Sequence, residues 1–219
     1  MWVRWVQYTS VCNPFWKSHL VNRKSLEFKA AFPSILILNR ITKRDFILKG
    51  TSLSHIMKIG LISDTHDNIE NILKAVSEFN SRRVDIVLHA GDFVSPIAVE
   101  SFAGIKLVGI LGNNDTDIPG LTSAFNKING ELKGEIFEAV YDGIKLVIYH
   151  GTSSSKKEFL INSGKYDMVI YGHTHRKASN KIGRTIVVNP GTAKGWFFGF
   201  YATIAVFDTH TRIIEFVSL

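Results

Sequence analysis

The chain has 219 residues, 45% of them hydrophobic and 21% charged, an ordinary globular composition that excludes wholesale disorder. A single cysteine excludes a disulfide framework and a cysteine-only zinc site, and no apolar run approaches the roughly eighteen residues of a membrane span. The formal net charge is +7, but residues 1–56 hold nine Lys/Arg against two Asp/Glu, whereas residues 57–219 hold seventeen of each. All the excess charge therefore sits in the first quarter of the chain.

That quarter also carries Cys12, Trp2, Trp5 and Trp16. It shows no sustained period of a helix or strand, and Ser34–Leu38 is its only compact apolar run. Arg4 is followed by Trp5-Val6-Gln7-Tyr8 rather than by the apolar region of a secretory signal. Met57-Lys58-Ile59-Gly60-Leu61 reads like the start of a complete protein. Two domains of unequal standing are expected: an extension over 1–56, loosely attached or joined through a misassigned start, and a main domain over 57–219. A genuine basic arm or targeting segment is the competing reading of 1–56.

From Met57 onward short apolar runs end in polar clusters. Lys58–Ser63 leads to Asp64-Thr65-His66, and Val84–Ala90 to Gly91-Asp92. Ile105–Leu111 leads to Gly112-Asn113-Asn114-Asp115, and Ile144–Tyr149 to His150-Gly151. Met168–Tyr171 leads to Gly172-His173-Thr174-His175, and Thr185–Val188 to Asn189-Pro190-Gly191. Runs of four to seven Ile, Val and Leu residues suit strands buried on both faces. Between them, Ile69, Ile72, Leu73, Val76 and Phe79 line one helical face. Asp67 and Asn68 are placed to cap that helix. Ser95-Pro96 reads as a helix start, and Ser155 with Glu158 as a capping box on a helix that Gly164 ends. Asp142-Gly143 marks a hairpin between Glu135–Tyr141 and Ile144–Tyr149, and Asp208–Arg212 a closing hairpin between Tyr201–Phe207 and Ile213–Leu219. Strand–helix alternation followed by hairpins predicts a mixed α/β sandwich, with ligands at the carboxyl ends of the strands.

Seven side chains at those ends can ligate metal: Asp64, His66, Asp92, Asn113, His150, His173 and His175. Imidazole, carboxylate and amide oxygen, with no thiolate, suit Mn, Fe, Co, Ni or Zn. Seven exceed a mononuclear tetrahedral site and suffice for two ions if a carboxylate bridges. Paired ions about 3.5–4 Å apart can clamp a phosphoryl centre and generate hydroxide at neutral pH. Each residue alone is a weak signal; the ordered set, mostly flanked by glycine, is specific.

The series Asp64-x-His66, Gly91-Asp92, Gly112-Asn113-Asn114-Asp115, His150-Gly151 and Gly172-His173-Thr174-His175 resembles the calcineurin-like metallophosphoesterase superfamily, and the compact length resembles its small YfcE-type phosphodiesterase branch. The resemblance covers 57–219 and leaves 1–56 unmatched. It implies a four-layer α/β/β/α sandwich. It further implies one ion on Asp64, His66 and His175, a second on Asn113, His150 and His173, and Asp92 bridging both, with in-line attack by a hydroxide held between them. Two divalent ions are expected, Mn²⁺ favoured over Ni²⁺, Co²⁺, Fe²⁺ or Zn²⁺, with a small phosphoester as substrate.

The superfamily often places His after the metal-binding Asn; here Asn114 stands there. An amide is no general acid near neutral pH but can donate hydrogen bonds to phosphate. Asn114 and Asp115 are the candidate catalytic residues beside the ligands, Asp115 being read either as an orienting group or as a turn residue. His89 is expected to be packed rather than ligating, and Asn189–Thr192 to be a structural turn. Arg176 and Lys177 fit a phosphate contact or a solvated loop. Trp196, Phe197, Phe198, Phe200 and Tyr201 fit an oligomer contact, a substrate wall or core. A scaffold function, as in the retromer subunit of this fold, is disfavoured because every ligand position is filled. A nuclease is disfavoured because residues 57–219 are charge-neutral. No membrane partner is expected, a homo-oligomer is left open, and the lack of structural cysteine fits a cytoplasmic protein.

Overall fold

The computed structural model of the protein describes residues 57–195 and 201–219. The expectations for residues 1–56 and for Trp196–Phe200 lie outside these described residues. Among the described residues no helix is long and apolar enough to cross a membrane.

Two sheets carry the fold. Strands β1 (Lys58–Ile62), β2 (Ile86–His89), β3 (Leu107–Gly109) and β4 (Glu131–Leu132) run parallel, and β10 (Thr203–Asp208) and β11 (Ile214–Ser218) extend the sheet antiparallel, in the order β11-β10-β1-β2-β3-β4. The second sheet has β5 (Ile136–Tyr141), β6 (Ile144–Tyr149), β7 (Met168–Ile170), β8 (Ala178–Ile182) and β9 (Thr185–Asn189) in the order β5-β6-β7-β9-β8. Its centre, β6-β7-β9, is parallel, and both edges are antiparallel hairpins.

Strand alternation explains the layering. Ile59, Leu61, Leu88, Ile148, Ile170 and Phe207 meet in a core between the sheets. Their neighbours Ile62, Val87 and Val206 face the other way, onto helices α1 (Ile69–Ser81), α2 (Pro96–Glu100) and α3 (Ile118–Lys127), with Ile72, Phe79, Phe102 and Phe125. Val147, Tyr149 and Val169 face outward from the second sheet, onto Leu160 of helix α4 (Ser154–Asn162). Side chains of successive residues point to opposite faces, so a run apolar at every position feeds two cores at once. The result is the four-layer α/β/β/α sandwich.

Local signals hold with two exceptions, the capping box of α4 and Asp67, whose carboxylate accepts from Ser95 and leaves the capping of α1 to Asn68. Asn68 caps α1, its side chain accepting from the Asn71 amide at 3.0 Å, and Gly164 just beyond α4 has φ +64°. The hairpin at Asp142-Gly143 forms, with both residues at positive φ. The capping box at Ser155 and Glu158 is not used: α4 begins at Ser154, and Ser153 is its cap, accepting from the Lys156 amide at 3.3 Å. The Tyr149 hydroxyl accepts from the Ser153 amide at 2.8 Å, which fixes the chain for a helix start two residues early.

Candidate metal centre

The carboxyl ends of β1, β2, β3, β6 and β7 converge, and each delivers a polar loop. Asp64 is wholly buried. Its Oδ2 accepts from the Ser63 hydroxyl at 2.6 Å and the His173 amide at 3.1 Å. Its Oδ1 receives no hydrogen bond and faces His175 Nε2 at 3.2 Å and His66 Nε2 at 3.9 Å. Asp92, 1% exposed, sets Oδ2 at 3.5 Å from His66 Nε2 and 3.3 Å from His150 Nε2. It therefore lies between the two halves of the cluster. His150 Nε2 is 3.1 Å from Asn113 Oδ1, and the His173 ring meets that of His150 edge-on at 5.2 Å.

Two overlapping groups of ligand atoms result: Asp64, His66 and His175, and Asp64, Asp92 and His150. Asp64 thus reaches both groups, where the resemblance implied a bridging part for Asp92 alone. Asn113 and His173 lie beside His150 on the exposed side of the cluster. The donor set fits transition-metal ions. A fully buried carboxylate oxygen and the buried His66 Nε2, both without a hydrogen-bond partner, are what a cation would satisfy.

The electrostatics agree. Burial pushes Asp92 up, but the His150 hydrogen bond and charge, with the Asn114 amides, hold it well below the usual carboxylate range. Burial likewise pushes His150 down, and its bond to Asp92 with the charges of Asp64 and Asp92 raises it above the usual imidazole value. Burial holds His66 below that value, against the pull of both aspartates. The 3.3 Å approach of His150 Nε2 to Asp92 Oδ2 favours the protonated imidazole, and an ion bound by Nε2 would have to displace that proton. His150 Nδ1 lies 2.7 Å from the Ala90 carbonyl, a contact that keeps a proton on Nδ1 and aims Nε2 at the cluster.

Residues 57–212 match the calcineurin-like phosphoesterase superfamily domain. The chain belongs to this superfamily. A phosphodiesterase of Methanocaldococcus jannaschii is 38% identical over 159 residues, 71% of this chain and 95% of the relative. A solved archaeal phosphodiesterase superposes with TM-score 0.70 at 36% identity, over 74% of this chain and 100% of that one. YfcE, a phosphoesterase from E. coli, shares the fold at 17% identity and TM-score 0.56, over 74% and 99% of the two chains.

Within this phosphoesterase fold the other sequence-flagged residues take definite places. Asn114 touches the cluster directly: its amide N donates to Asp92 Oδ1 at 2.9 Å and its Nδ2 to Asp92 Oδ2 at 2.7 Å. Asp115 turns its carboxylate to backbone amides. Its Oδ2 accepts from the amides of Asp92 at 2.8 Å and Gly112 at 2.7 Å, and its Oδ1 from Val94 at 2.8 Å. It is a positioning residue that ties the Asp92 loop to the Asn113 loop. His89 is packed, stacked on Phe93 at 3.6 Å, with Nδ1 accepting from the Gly91 amide. Asn189 donates to the Gly172 carbonyl at 2.9 Å and the Thr174 hydroxyl at 3.0 Å, so the 189–192 turn props the His-x-His loop.

Three supports were not apparent from the sequence. Ser63 orients Asp64, and Thr192 Oγ1 donates to the Asp64 carbonyl at 2.9 Å. Asp67 accepts from the Ser95 amide and hydroxyl, linking the first two ligand loops at the start of α2. A Ser or Thr next to a ligand carries no distinguishing sequence signal. Glycine did carry one: a side chain at Gly172 would collide with Ser63, and one at Gly112 with Asp92.

Proposed function

We propose that the protein is a divalent-metal-dependent phosphodiesterase that hydrolyses a small phosphoester. The carrying observation is the Asp92 carboxylate between His66 and His150, beside a buried Asp64 oxygen with no hydrogen-bond partner. Asp64, His66 and His175 would hold one ion, Asn113, His150 and His173 a second, and Asp92 would serve both. Mn²⁺ suits the imidazole-rich set, and Ni²⁺, Co²⁺, Fe²⁺ or Zn²⁺ suit the same donors. Bound there, the ions would supply positive charge to the phosphoryl oxygens and acidify water to a nucleophile at neutral pH.

The chain's own groups do the rest. Ser63 and the His173 amide hold Asp64 so that Oδ1 stays turned inward. Asn114 holds both oxygens of Asp92 and carries no proton that titrates near neutral pH. The leaving group would therefore have to be a good one or take its proton through water.

Chelation tests the proposal. Stripped protein should lose hydrolysis of a bis-aryl phosphate, Mn²⁺ should restore it better than Ca²⁺, and metal analysis should find two ions per chain. Full activity of stripped protein in excess chelator would refute the function.

A further inference from the structure

A cavity of about 370 Å³ opens beside Asn113 and His150, the side of the cluster away from His66 and His175. We propose that this cavity is a subsite for the second ester arm of a diester, and that it takes an uncharged, ring-bearing arm such as a nucleoside. The assignment rests on the phosphodiesterase reading above.

Position comes first. Asn113 and His150 belong both to the cavity wall and to the candidate metal centre. A phosphoryl group held at that centre would have one ester oxygen facing the cavity mouth. The volume falls in the range of small-molecule sites and exceeds what a methyl or ethyl arm would fill.

The lining gives the chemistry. Leu111 and Tyr149 supply apolar and aromatic surface. Among the described residues that line it, Lys156 is the one Lys or Arg and Glu135 the one carboxylate, and they pair at 3.3 Å. Lys156 Nζ also lies 5.1 Å from the Tyr149 ring centre, which holds it over the aromatic wall. The Tyr149 hydroxyl is occupied by the Ser153 amide, and the Ser153 hydroxyl caps α4. The Lys156–Glu135 pair leaves the wall neutral, so a second phosphate gains nothing there. Thr152 and the rims of the ion pair remain to bond hydroxyl or carbonyl groups of an arm. A neutral ring laid against Leu111 and the Lys156 side chain that covers Tyr149 fits; a polyphosphate arm does not.

Three substrates sharing a p-nitrophenyl leaving group test this in the metal-loaded full-length protein. They are the thymidine 5′-diester, the methyl diester and the pyrophosphate-armed analogue of the thymidine compound. The thymidine diester should exceed the methyl diester in kcat/KM by about tenfold or more, the scale on which a filled pocket discriminates. The pyrophosphate-armed compound should gain no such advantage. Thr152→Trp, which fills the cavity, should bring the thymidine-to-methyl ratio close to one. Glu135→Lys, on an exposed side chain, should shift preference toward the charged arm without unfolding the domain. Calorimetric binding of thymidine 5′-methyl phosphate to both variants and the parent gives a readout independent of turnover. Parent protein that does not hydrolyse any substrate, yet binds this ligand in a Thr152→Trp-sensitive manner, would sink the phosphodiesterase reading and uphold the subsite. A parent ratio near one, or a ratio unchanged by Thr152→Trp in folded protein, would overturn the subsite.

Discussion

Asp115→Asn isolates the clamp between the two central ligand loops. The native carboxylate is buried and accepts three backbone N–H groups at 2.7–2.8 Å. Asparagine can keep one oxygen for Asp92 N and Gly112 N, but its NH₂ then faces the Val94 N–H, donor against donor. One charge-assisted bond is lost outright and two become neutral. At about 1.5–3 kcal/mol for a bond to a charged group, the expected cost is about 2–4 kcal/mol. For a domain of this size that is a fall in Tm of about 5–15 °C. Val94 adds a functional consequence. It is β-branched and held at φ 85°, a conformation such residues rarely adopt and that costs about 1–3 kcal/mol. Freed from Asp115, Val94 should relax and drag Asp92 off its position between His66 and His150. Metal affinity should then fall by about 10–100-fold, the range for residues that orient ligands. Thermal unfolding in chelator measures the stability term, and metal titration followed by elemental analysis measures the second. Val94→Gly in the Asp115→Asn background should recover part of the lost stability, because glycine carries no penalty at that φ. An Asp115→Asn protein that melts within 1 °C of the parent and binds metal equally well would refute the clamp.

Asp92→Ala should cost more than His175→Ala, both in bound ions and in turnover, since Asp92 lies against both His66 and His150 and would serve both ions, whereas His175 would serve one; metal stoichiometry and kcat for the pair decide it. His89, fully buried and held well below the usual imidazole value by burial, binds its proton more readily unfolded than folded. The His89 contribution to stability should therefore be full above about pH 6.5 and fall by up to about 1.4 kcal/mol per unit as pH drops below it, against the opposite contribution of the raised His150. Denaturant melts of parent and His89→Asn protein in chelator should show the slope reduced in the variant. A chain beginning at Met57 should fold and match the full-length kcat/KM within a few fold, since β1 starts at Lys58 and its partners β2 and β10 lie in 57–219; side-by-side melting and activity measure this.

Strands of the double core were legible because their burial is uniform. Val84–Ala90 reads as a strand since β2 places Ile86 and Leu88 in one core and Val87 in the other, with only Asp85 and His89 as polar residues near its two ends. The edges were less legible. β8 has the sequence Ala-Ser-Asn-Lys-Ile and is mostly exposed, so neither an apolar run nor an alternation marks it; only its pairing with β9 makes it a strand. Helix α3 escapes for a different reason. It opens with Ile118-Pro119-Gly120, a poor helical sequence, and relies on the Asp117 side chain accepting from the Gly120 amide and on Leu121, Ala124 and Phe125 packing into the core. Helix α4 buries only Leu160, and its start is set by a tertiary bond from Tyr149 that local sequence cannot show.

At the candidate site the residue types were legible and their conformations were not. Asp64, His66, Asp92, His173 and His175 all lie at positive φ, between 41° and 66°. Each left-handed ligand is costly for a side chain with a Cβ, and only a surrounding network that over-determines the loop sustains it. That network is visible in the bonds of Ser63, Thr192, Asn189 and Asp115, and in the glycines at 112 and 172 that let the loops close on one another. Ser63 and Thr192 stand in the sequence as ordinary short polar residues because their task is to hold a neighbouring carboxylate or carbonyl, which more than one short polar side chain can do; Asp115 is the exception, since three backbone N–H groups need a carboxylate. Ligands must present a particular atom to a cation, so their types are constrained and their pattern is readable. The division predicts where tolerance lies: conservative exchange should be easier at Ser63 and Thr192 than at Asp64, although both kinds of residue are buried to the same degree.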